Sequence, residues 1–147
     1  MNTLDNSRAE LERFFASLGA VRSPDTVDAL PVAMVGEGPS SVGQVEERPV
    51  RLAKDAARVV GRTLLSADSY EAAMSACFFE PAVALRFRRG RSVVQVLVCF
   101  RCGELVFEEP GGRALSGRMK LGSGRAPLLA AAKKAFPDHQ EIQALKE

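Results

Sequence analysis

The sequence predicts an α+β fold: a three- or four-stranded antiparallel meander packed against two or three helices, in a single domain over residues 1–147. Three observations carry this. Residues 82–109 read as paired strands between turn signals, alternating apolar and polar at 83–88 and 104–108 around an almost continuously apolar run. An apolar stripe at helical spacing follows a capping pattern near the start. A second stripe follows Pro127 near the end.

Taken in order, Ser7-Arg8-Ala9-Glu10 has the form of a capping box, with Ser7 as N-cap and Glu10 reaching back. Leu11, Phe14, Phe15 and Leu18 then share one face, and Gly19 suits the helix end, so a helix is expected over about 7–18. Val27, Leu30, Val32 and Val35 suggest a short strand, weakened by Pro31, which lacks a ladder donor. Residues 36–49 carry Gly36, Gly38, Pro39, Gly43 and Pro49 and read as a surface loop with room to move. Leu52, Ala56, Val59, Val60, Thr63 and Leu64 predict a helix at about 53–66, with Gly61 opposing it. Asp68-Ser69-Tyr70 opens a short helix or turn expected to run to Cys77.

The meander follows. Val83, Leu85 and Phe87 alternate with Ala84, Arg86 and Arg88, and Arg89-Gly90 makes a hairpin turn. Residues 92–100 are almost continuously apolar, as a strand buried on both faces requires. Residues 104–108 alternate again, and Pro110-Gly111-Gly112 leads to a fourth strand near 113–120. Leu128, Leu129, Ala132 and Phe136 give the last helix its apolar face, Pro137 ends it, and Asp138-x-x-Glu141 is a further capping pattern.

With 46% apolar and 26% charged residues, a domain of this length can build a core without staples. No stretch approaches the roughly 18 apolar residues that span a bilayer, so no membrane contact is expected. Acids early in the chain do not fit a secretory signal, and three cysteines is an odd number for a disulfide scaffold. A reducing compartment, and so a cytoplasmic location, is expected. Net charge is +2, but residues 1–80 hold 8 Lys/Arg and 12 Asp/Glu (−4), whereas residues 81–147 hold 12 and 6 (+6). Two solvated faces that complement each other account for this more simply than an anionic partner does.

Tyr70, then Cys77-Phe-Phe-Glu-Pro81 ahead of a strand, then Cys99-Phe-Arg-Cys102 at the end of the next resembles a family of uncharacterised bacterial proteins. Residues 135–142 (Ala-Phe-Pro-Asp through Ile142) fit the same pattern. The resemblance covers roughly the C-terminal half and implies no activity. It implies a His just after the Pro, where this chain has Ala82, Val83 and Ala84.

Strand pairing from Pro81 onward brings Cys77 toward the turn that holds Cys99 and Cys102. Three cysteines at one sheet end admit three readings. Buried thiols pack as small hydrophobes, and this reading comes first. A zinc site wants four ligands; His139, the one histidine, lies in the distant C-terminal segment, so a Cys₃ set would leave a position open. Redox chemistry is weakened because Cys99-x-x-Cys102 sits between two strands rather than at a helix start.

The basic cluster of Arg86, Arg88, Arg89, Arg91 and Arg101 is the expected contact surface. Nucleic acid is not favoured, because Phe87 and Phe100 point to the core side and cannot stack bases. Charge protection of an edge strand is the structural account of the same arginines. Gly122-Ser-Gly124 could hold an anion ahead of the last helix, but its spacing matches no phosphate loop. No catalytic constellation is visible.

The expected function is thus a non-enzymatic binding module for a protein partner, with a cysteine cluster at one sheet end. A zinc-like metal-binding or thiol-redox protein centred on Cys77, Cys99 and Cys102 is the alternative. Nucleic-acid binding through the basic hairpin is the weaker one.

Overall fold

The structure, a computed structural model, describes residues 8–73 and 76–147. It is α+β, and the antiparallel sheet is larger than a four-stranded meander. The described residues form nine strands: β1 (Thr26–Val35), β2 (Val42–Val45), β3 (Val50–Arg51), β4 (Tyr70–Glu71), β5 (Val83–Arg89), β6 (Ser92–Cys99), β7 (Glu104–Glu109), β8 (Arg113–Ala114) and β9 (Met119–Leu121). The main order is β2-β1-β5-β6-β7-β9-β4, with β3 also on β1 and β8 on β7. The helices are α1 (Arg8–Ala16), α2 (Gly19–Arg22), α3 (Lys54–Leu64), α4 (Arg125–Ala135) and α5 (Gln140–Gln143). No helix among the described residues is long and apolar enough to cross a membrane.

The meander β5–β6–β7 forms where the alternation places it. Elsewhere the chain departs from expectation for local reasons. Ser7 lies outside the described residues, and Gly19 opens α2 rather than closing α1. The strand through Pro31 runs ten residues. Pro31 stands opposite the gap between β2 and β3, where its carbonyl accepts from Glu46 N–H at 2.9 Å, so no ladder partner on that side misses its donor. The tract 36–49 contains β2, so it is not loop throughout. Gly43 conceals that strand: Pro81 crosses it so closely that a Cβ there would lie 2.9 Å from the proline ring. A single 3₁₀ turn forms at Ala67–Ser69, but the chain then enters the two-residue β4 rather than running on as a helix; Met74 and Ser75 lie outside the described residues. At the C-terminus His139 caps α5, its Nδ1 accepting from Ile142 N–H at 3.3 Å, where Asp138 was expected. And β5 lies between β1 and β6, so its arginines do not guard an edge.

The two sheet faces differ. One carries Val83, Leu85, Phe87, Val96, Val98, Leu105 and Phe107 against Leu11, Phe15, Val60, Leu64, Leu128 and Leu129 of the helices. Phe107 meets Phe14 edge-on at 5.3 Å and Phe15 at 6.3 Å. The other face is polar in one row and buried in the next. Arg51, Asp28, Arg86, Gln95 and Glu108 stand in register across five strands. Arg51 donates to Asp28 (2.6 Å), Arg86 Nε to Gln95 (3.0 Å), and Gln95 Nε2 to Glu108 (2.7 Å). This ladder satisfies polar groups that the sheet buries.

Candidate functional site

Arg86 belongs to that ladder. Its side chain is 13% exposed and donates two bonds to Glu47, at 2.9 and 3.0 Å. Hydrogen bonding to Arg86 holds the Glu47 carboxyl below its ordinary range and raises the Arg86 guanidinium. Arg88, Arg89, Arg91 and Arg101 are exposed, and Arg89 reaches the Ser23 carbonyl at 3.3 Å. The basic excess of the C-terminal half largely ties the fold together. Arg118 donates to Glu104 and to the Cys77 carbonyl, Lys120 to the Cys102 carbonyl (2.6 Å), Arg125 to the Phe100 carbonyl (2.9 Å) and Lys133 to the Leu145 carbonyl (2.6 Å). The glycine loop is likewise occupied: Gly122 and Gly124 N–H both donate to the Ser69 carbonyl.

The three cysteines do gather at one sheet end, as strand pairing implied. Cys77 and Cys102 are joined in a disulfide with their Cα atoms 5.6 Å apart. Cys99 is the free thiol, fully buried, and its Sγ accepts from Cys102 N–H at 3.4 Å. An odd cysteine count therefore means one bridge plus one thiol, which removes the argument for a reducing compartment. Among the described residues no group of three or more His, Cys, Asp or Glu side chains is placed to hold a metal. His139 faces Phe136 and caps α5, so it brings no fourth ligand.

One concave feature was not read from the sequence. A groove of about 960 Å³ lies between α1–α2 and α3, closed at one end by the start of β1 and the β3–α3 junction. Its apolar floor includes Val21, Val27, Leu52, Ala57 and Leu65. Its rim is cationic: Arg8, Arg22, Arg51, Lys54, Arg58 and Arg62, against Glu12 and Asp25. All of these come from the half of the chain whose net charge is negative.

Several rim charges are matched. Arg8 pairs with Asp68 (2.7 Å), Arg51 with Asp28 (2.6 Å) and Arg58 with Asp55 (3.1 Å), and hydrogen bonds to their carboxylates raise the Arg8 and Arg51 guanidinium pKa values. The Asp25 carboxylate accepts from Gly90 N–H. Arg22, Lys54 and Arg62 have no carboxylate partner among the described residues. Lys54, Arg58 and Arg62 stand at i, i+4 and i+8, one row along α3 facing the groove. Ala53 offers no side-chain cap, so the first amides of α3 are left to another acceptor. No family model, curated protein or solved structure matches the chain, so function rests on this geometry.

Proposed function

We propose that the chain is a non-enzymatic binding module for a protein partner, and that it holds an extended acidic segment of that partner in the groove along α3. The observation that carries this is the row Lys54–Arg58–Arg62 above an apolar floor. Asp55 pairs with Arg58, whereas Lys54 and Arg62 at the two ends of the row have no carboxylate partner among the described residues and are open to an anionic one. Adjacent cations in the row are about 6 Å apart along the helix, close to the roughly 7 Å between alternate side chains of an extended strand. Acidic side chains at every second position therefore meet the row, while intervening apolar ones reach Val21, Ala57 and Leu65. Arg89 and Arg91 of the hairpin border a second concavity with Phe14, Leu18 and Leu115 in its lining, but it has no row of cations along a helix, and that row is why the groove is preferred to the hairpin as the contact surface. The disulfide favours an oxidising compartment over the cytoplasm.

The test is a fluorescence-anisotropy titration with a labelled peptide of alternating Glu and Leu. Arg62→Ala should weaken binding about tenfold, roughly 1.4 kcal/mol, and Arg88→Ala should leave it unchanged. The opposite pattern would return the contact surface to the hairpin. An all-Glu peptide that binds as well as the alternating one would remove the apolar floor from the account.

A further inference from the structure

The sheet end that carries the cysteines holds a complete set of parts for an internal exchange. Cys99 and Glu104 are direct cross-strand partners on one face, and Lys120 stands next in the same row. Cys99 Sγ lies against the Cys102 amide at 3.4 Å, while Cys102 Sγ is bonded to Cys77. Cys99 is fully buried and Cys102 is 4% exposed, whereas Cys77 is half-buried beside Phe78, which is 49% exposed. A cation holds each half-cystine by its backbone: Arg118 donates to the Cys77 carbonyl and Lys120 to that of Cys102.

We infer that Cys99 is an internal nucleophile for the Cys77–Cys102 disulfide, and that the chain interconverts between that bridge and a Cys99–Cys102 bridge. Cys99 loses its proton, and its thiolate attacks Cys102 Sγ. The Cys99–Cys102 bond forms as the Cys77–Cys102 bond breaks. Cys77 leaves as a thiolate and takes up one proton, which balances the one lost by Cys99. One disulfide and one thiol stand on each side, so no oxidant or reductant is needed. The effect is to move the single thiol from the core to the surface. Cys77 then becomes a modification site, open to electrophiles and to mixed disulfides with other thiols.

Peptide mapping tests this directly, because Arg62, Arg86, Arg91, Arg101 and Arg113 let trypsin place each cysteine in its own peptide. Native protein without reductant is incubated with iodoacetamide over a time course. It is then denatured, the remaining thiols are blocked with N-ethylmaleimide, and the digest is mapped unreduced by mass spectrometry. The expected result is carbamidomethyl accumulating on Cys77 together with a Cys99–Cys102 bridge. Cys99→Ser should abolish that label while keeping Cys77–Cys102. A label on Cys99 with Cys77–Cys102 intact overturns the inference. So does a wild-type protein whose only blocked thiol, after denaturation, is Cys99. The wild-type map decides the matter even if the serine variant does not fold.

Discussion

Arg86 and Glu47, 39 residues apart in sequence, are joined by two hydrogen bonds of 2.9 and 3.0 Å across the polar face of the sheet. This pair ties the stretch between β2 and β3 to the centre of the meander. It removes from solution the arginine that headed the expected binding surface.

Acidification should expose that bond. The folded-state pKa of Glu47 is depressed below its ordinary 4.5, chiefly by its hydrogen bond to Arg86. Its contribution is therefore fully present above pH 4.5 and is lost as pH falls through the lower folded value. Thermal melts of wild type and Glu47→Gln should differ at neutral pH and converge in acid. A difference that persists in strong acid contradicts the assignment.

Tyr70 gives the opposite dependence. Its hydroxyl donates to the Leu64 carbonyl at 2.6 Å, and burial pushes its pKa well up from 10.0. The neutral phenol supports the fold fully below pH 10.0, and that support is lost as pH rises further. Tyr70→Phe leaves the carbonyl unpaired and should cost about 1–3 kcal/mol near neutrality. Urea unfolding against pH should show wild type losing this advantage only in the alkaline range.

Gly61 lies inside α3, and a Cβ there would sit 3.5 Å from the Val21 carbonyl, an ordinary contact. Gly61→Ala should therefore stabilise the protein by about 0.5–1 kcal/mol through helix propensity. A destabilised variant in urea melts would mean that α2 and α3 approach more closely than that contact indicates.

Phe107 stands fully buried between Phe14, Phe15 and the sheet. Phe107→Ala should cost about 3–5 kcal/mol, as large-to-small core changes do. Chemical denaturation measures it, and a loss under about 1 kcal/mol would place the ring outside the core.

How much of this was legible depended on whether the signal was local. The meander was readable because Val83, Leu85 and Phe87 alternate with polar partners between glycine turns. The proximity of Cys77 to Cys102 followed from the same register, but not which two sulfurs would bond. β1 was underestimated because Pro31 looks like a strand breaker, and only the gap between β2 and β3 shows why it is not. β2 was hidden by Gly43, a small residue demanded by Pro81 from far along the chain. The groove was invisible for a different reason. Lys54, Arg58 and Arg62 sit in a stretch of negative net charge, and a linear count does not separate cations that meet carboxylates from those that face a cavity. The same count credited the C-terminal half with a basic surface, although Arg118, Lys120 and Arg125 turn inward to backbone carbonyls.

The measurement that bears most directly on the groove is Lys54→Glu, read for stability and binding together. A glutamate at the start of α3 sits four residues before Arg58, an orientation that stabilises a helix by about 0.2–0.5 kcal/mol, and it complements the helix dipole. The account predicts a melting temperature equal to or above wild type and an affinity for the alternating Glu–Leu peptide reduced about tenfold or more. An unchanged affinity in a protein of undiminished stability would contradict it.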